Sequence, residues 1–110
     1  MIFDKDGTTT IVFQENISIQ EFLKNLEKGY PQIKNDNIII NLFSFSKLSS
    51  GDILEFMPIS NKHREIGKSL VLVTEKVSFD EVPEELCVVP TIQEAKDIIE
   101  MEEIERDLDL

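Results

Sequence analysis

Three features of the 110-residue sequence predict an α/β fold with a mostly parallel sheet. Two short apolar runs, Ile38-Ile39-Ile40-Asn41-Leu42-Phe43 and Leu70-Val71-Leu72-Val73-Thr74, are rich in β-branched residues and do not alternate with polar ones. Strands of that kind are covered on both faces, as in sheets built by crossover connections. Helix-start signals fall between and after these runs, so helices alternate with strands. An Asp6-Gly7 pair near the start marks a tight hairpin.

The elements follow in order. Residues 2–3 and 8–13 read as two β-segments around Asp6-Gly7, because both central residues of a type I′ turn need positive φ. Ser18 and Glu21 have capping-box spacing, Phe22, Leu23 and Leu26 follow at helical intervals, and Gly29 before Tyr30-Pro31 reads as a stop. The first helix is therefore expected over 19–28. Asn35-Asp36-Asn37 marks a turn before the first apolar run. A second helical pattern starts near Gly51-Asp52 with Ile53, Phe56 and Met57, and Pro58 kinks or restarts it. Residues 60–68 read as a polar stretch closed by Gly67. After the second apolar run, residues 82–85 read as a turn or a single helical turn, and Cys87-Val88-Val89 as a short strand ended by Pro90. Thr91 and Glu94 form a second capping box, opening a helix whose stripe is Ile92, Ala95, Ile98, Ile99, Met101, Ile104 and Leu108.

Hydrophobic residues make up 41% of the chain, enough for one packed core spanning residues 1–110 as a single domain. Eleven basic against 22 acidic residues leave a net charge of −11, which repels phosphate backbones and argues against direct nucleic-acid binding. No basic-then-apolar leader opens the sequence, and no apolar run approaches the ~20 residues of a membrane span, so neither export nor membrane insertion is expected and cytoplasm is the default. With one Cys and one His there is no disulfide framework and no metal-ligand spacing. Cys87 sits in an apolar setting and reads as a structural thiol. The four glycines are scattered, so no phosphate-cradling loop is present. His63 falls on a polar stretch and Cys87 mid-strand, which separates the one Cys from the one His. The expectation is a chain without catalytic residues, metal or cofactor.

The informative segment is Phe43-Ser44-Phe45-Ser46-Lys47-Leu48-Ser49-Ser50-Gly51-Asp52, a serine-rich loop between a central strand and a helix. Loops at the carboxyl ends of strands in open α/β sheets are where ligands act. Two readings stand side by side: Ser49 or Ser50 caps the helix through a free amide, or one of them is a regulated phosphoacceptor.

The pattern resembles the STAS family of anti-sigma-factor antagonists and sulfate-transporter regulatory domains. The best-matched stretch is the strand at 38–43, then Leu48-Ser49-Ser50-Gly51, a helix, and Gly67-Lys68-Ser69-Leu70-Val71-Leu72-Val73. The family's text there is strand, Asp-Ser-Ser-Gly, helix, turn and Leu-Val-Leu-Val strand. Val89-Pro90-Thr91-Ile92-Gln93-Glu94-Ala95 is similar to the family's closing segment. The resemblance implies a STAS-like sheet packed against helices, with Ser49 and Ser50 matching the serine pair whose phosphorylation switches antagonists off. Leu48 stands where the family has Asp, and Phe56, Met57 and Pro58 replace small helix residues. Small Bacteroidetes chains of this kind are often labelled ribonuclease Z, whose di-zinc site needs several histidines. With His63 alone this chain does not build that site, although an accessory role beside such an enzyme stays open.

Two functions are therefore expected. The first is a regulatory protein-interaction domain of anti-sigma-antagonist type, whose partner is a kinase or anti-sigma protein or another basic protein. Its contacts would be Leu48, Gly51, Asp52, Phe56, Met57 and Ile59, with a core reading open for Phe56 and Met57 as well. The second is an assembly module docking through the acidic helix end at 100–110, where Met101, Ile104 and Leu108 prolong the apolar stripe.

Overall fold

Strand-forming runs separated by helices give β1 (Ile2–Asp6), β2 (Thr9–Phe13), α1 (Ile19–Ile33), β3 (Asn37–Asn41), α2 (Ser50–Leu54), α3 (Met57–Glu65), β4 (Leu70–Val73), a 3-10 turn (Phe79–Glu81), β5 (Cys87–Val89) and α4 (Ile92–Leu108). They are seen in a computed structural model, in which residues 1–108 are described. The sheet has the order β1-β2-β3-β4-β5, antiparallel only between β1 and β2. The expected α/β architecture, a mostly parallel sheet with an N-terminal hairpin and packed helices, is what forms.

This order explains where the helices lie. Crossovers between neighbouring parallel strands are right-handed, so successive connections running the same way along a sheet fall on the same face. α1, α2 and α3 accordingly pack with Val12, Ile38, Ile40, Leu70, Leu72 and Val88. Among the described elements only α4, which follows β5, covers the other face, where Ala95 and Ile99 meet Ile39, Val71 and Val73. Alternate residues of β3 and β4 thus serve opposite layers, and all of Ile38, Ile39, Ile40 and residues 70–73 are fully buried. The unalternating apolar runs follow from this two-sided cover.

Three local expectations are corrected. First, α1 does not stop at Gly29. It runs to Ile33 because Tyr30 and Ile33 continue the buried stripe of Ile19, Phe22 and Leu26. Gly29 is small for a different reason, since a Cβ there would overlap the Phe3 ring. Second, the hairpin turn is Gly7-Thr8, because Asp6 pairs with Thr9. Gly7 has φ +64°, while Asn16 is the only non-glycine residue with positive φ among the described residues, so one left-handed position suffices, as in a type II′ turn. Third, residues 60–68 are not uniformly polar surface, for Ser60 and His63 are fully buried. Pro58 does restart the helix, standing within the first turn of α3 where a missing amide costs nothing.

No helix among the described residues is long and apolar enough to cross a membrane.

Candidate functional site

The β3-to-α2 loop is held by one local bond, one bond to the segment after β2 and one aromatic anchor. The Phe43 amide donates to Asn41 Oδ1 at 3.0 Å, and the Ser44 hydroxyl to the Gln14 carbonyl at 2.8 Å. Phe45 turns inward and meets Phe22 edge-on at 5.6 Å, and Phe22 in turn meets Phe56 at 6.0 Å. The loop is therefore fastened to α1 and to the start of α3.

Ser49 is the N-cap of α2. Its Oγ accepts from the Asp52 amide at 3.1 Å, while Asp52 Oδ2 accepts from the Ser49 amide at 3.0 Å. The predicted cap thus takes its reciprocal form. Of the two boxes read at Ser18–Glu21 and Thr91–Glu94, the bond donated by the Glu amide to the hydroxyl oxygen forms in each. In the second, Glu94 takes the Thr91 hydroxyl at 3.3 Å. Ser49 is exposed and Ser50, the first residue of α2, half-buried. Replacing Ser49 by Ala is expected to cost about 1 kcal/mol in urea unfolding, with a Gly replacement losing only a few tenths.

The six candidate contact residues separate by burial. Phe56 and Ile59 are core residues, 0% and 6% exposed, because the helix restart turns both under α1. They are withdrawn as contacts. Leu48 and Met57 are half-buried against the same core, Asp52 is half-buried, and Gly51 is exposed. Exposed apolar area comes instead from Phe43 and Leu54, at 48% and 42%. Leu54 follows the buried Ile53, about 100° further round the helix, and lies on its outer side.

An exposed serine hydroxyl beside Asp52 is chemically suited to a switch. A phosphoryl group on Ser49 would set nearly two further negative charges against the Asp52 carboxylate, while its oxygens could still accept from the free amides of the first turn of α2. The half of the box that this repulsion opposes is the bond from the Ser49 amide to Asp52 Oδ2.

The two groups with nucleophilic or acid–base chemistry lie elsewhere. The His63 ring is held between the Tyr30 hydroxyl, 2.7 Å from Nδ1, and the Asp36 carbonyl, 2.7 Å from Nε2. A carbonyl only accepts, so Nε2 carries the proton and Tyr30 donates to Nδ1. Burial, with Lys68, Arg64 and Arg106 nearby, holds the imidazolium below the ordinary histidine value, against the opposing pull of the Asp36 carbonyl. Cys87 is half-buried on β5, its thiol pushed up by burial and by Glu102. Among the described residues, no three His, Cys, Asp or Glu side chains cluster as metal ligands. The sequence reading missed the Tyr30–His63–Asp36 arrangement because its members are 27 and 33 residues apart.

At the C-terminal half of α4 the usual amphipathicity is inverted. Its inward side is polar: Glu102 pairs with Arg64 at 3.2 Å, Asn37 Nδ2 donates to Glu103 at 3.1 Å, and Arg106 donates to Ser69 at 3.1 Å. Met101, Ile104 and Leu108 face outward at 60%, 52% and 80% exposure. The acidic helix end read over 100–110 also includes residues 109–110, which lie outside the described residues.

No protein-family model matches the chain, and no curated protein matches it either.

Proposed function

We propose that this chain is a non-enzymatic regulatory domain of STAS-like type that binds a protein partner through the loop after β3 and the outer face of α2. The observation that carries this reading is Ser49: an exposed hydroxyl that caps α2 beside the Asp52 carboxylate, on a segment that also exposes Phe43 and Leu54. The unmodified loop offers an apolar contact of two side chains on a rigid mount. Phosphorylation places nearly two negative charges at the edge of this apolar contact, and the partner leaves.

The test is capture from the native host with the tagged wild-type chain, Ser49→Glu and Leu54→Glu, identifying both modified bait and co-purifying protein by mass spectrometry. A partner held by wild type and lost with both variants, at unchanged circular dichroism, is the expected result. Equal capture by all three removes the loop from the interaction.

A second reading has its own observation. Contiguous apolar residues left outside while charged ones point inward mark a contact surface, so the stripe of Met101, Ile104 and Leu108 supports assembly through α4. Met101→Glu with Ile104→Glu is expected to abolish such assembly in sedimentation without lowering the melting temperature. Unchanged assembly would retire this reading.

A further inference from the structure

β5 is an edge strand only three residues long, and two adjoining grooves run along its open side. Their volumes are about 630 Å³ and 760 Å³. Phe79, Val88, Val89 and Ile98 line both, so they form one continuous trough with the 3-10 turn on one bank and α4 on the other. Phe79 is 75% exposed, a large aromatic side chain with little cover at the lip of an apolar trough.

The floor also has open main-chain groups. The Val89 carbonyl accepts from the Thr74 amide at 3.0 Å, on the β4 side. Successive residues of a strand point their amide and carbonyl in opposite directions, so those of Val88 face the open edge. Pro90 follows and has no amide to offer, which keeps this edge short.

The rim is predominantly acidic. Glu84, Glu85 and Glu102 stand at one end, and Glu75, Glu94 and Asp97 at the other. Arg64, the cation at the trough, is already paired with Glu102. An apolar floor between two acidic ends is complementary to an extended segment in which apolar residues alternate with Lys or Arg. On a strand paired with β5, alternate side chains point toward opposite banks, so the apolar set meets Phe79 on the bank of the 3-10 turn while the basic set lies along α4, where Glu94, Asp97 and Glu102 line the trough. A second copy of this chain is a poor occupant. It carries −11 of net charge, and its other edge strand, β1, brings Asp4 and Asp6.

We propose that the β5 edge is a binding site for an extended, cationic, apolar-alternating peptide segment of a partner protein, added to the sheet through Val88 and anchored by Phe79. This site is independent of the loop at Ser49.

The probe is a synthetic Lys-Val-Lys-Val-Lys-Val peptide titrated into the isotopically labelled full chain, with amide shifts as readout. Three controls accompany it: Glu-Val-Glu-Val-Glu-Val, a proline-interrupted basic version, and oligolysine. The expected result is saturable binding with the largest shifts at residues 79 and 86–89. Phe79→Ala and Glu94→Lys with Asp97→Lys should each weaken it at least about tenfold. The proline-interrupted peptide and oligolysine should also bind at least about tenfold more weakly, since one cannot pair with the edge and the other has no apolar set. Phe79 is exposed, so its replacement leaves the fold intact. Shifts spread over the whole acidic surface, equal binding of oligolysine, indifference to Phe79→Ala, or self-association through β5 would each overturn the proposal.

Discussion

Phe56→Ala is expected to lower the unfolding free energy by about 3–5 kcal/mol, because a fully buried ring is removed from a packed site that cannot fully collapse. The ring sits where α2 hands over to α3 and touches Phe22, which also holds the loop through Phe45. The cavity therefore loosens three elements at once. Leu54→Ala, two residues earlier and exposed, should change stability by no more than about 0.5 kcal/mol while weakening the proposed partner. Urea unfolding of both variants checks the contrast. A Phe56→Ala loss below about 1 kcal/mol would contradict its place in the core.

The second large effect concerns Tyr30 and His63. Tyr30→Phe removes the donor to Nδ1 and leaves a buried acceptor unpaired, an expected cost of about 1–3 kcal/mol. The same site makes stability depend on pH. Burial lowers the folded-state value of His63, so below the unfolded value of about 6.5 the unfolded chain binds more protons than the folded one. The contribution is therefore complete above about pH 6.5 and is lost as pH falls from there through the lowered folded value. Because His63 is the only histidine, the window between pH 6.5 and about 5 lies clear of other histidines and above the ordinary carboxylate range. Wild type should lose stability across it, and His63→Leu, though less stable at pH 7, should not. A wild-type curve flat to pH 5 would show that the imidazole is accessible to protons in the fold.

The architecture was legible where one residue type answers one question. Runs of Ile and Val with no polar alternation announced two-sided strands, and the Ser49-Ser50 pair announced a cap. The sequence misled where a local signal competed with tertiary gain. Gly29 and Pro31 read as a helix end, yet the burial of Tyr30 and Ile33 and the bond to His63 outweigh both. His63 itself reads as polar in a polar neighbourhood, and only the crossing of α1 with α3 shows that its two nitrogens are occupied. At the candidate site, exposure was the hidden variable: Phe56 and Leu54 are chemically interchangeable as contacts in the sequence, and only packing assigns one inside and the other outside. The trough at β5 was invisible for a related reason, since it depends on which strand ends the sheet.

The placement of α4 has a consequence for biosynthesis. Each strand pairs with its neighbour in chain order, so pairing can advance as the polypeptide emerges, and contacts of low sequence separation close quickly. One layer is completed along the way by α1, α2 and α3. The opposite layer waits for α4, and until then Ile39, Val71 and Val73 form a bare apolar face on an otherwise finished sheet. A chain in which β5 has paired but α4 has not yet docked would hold that face uncovered, which is the kind of surface that holding chaperones recognise and that aggregation starts from.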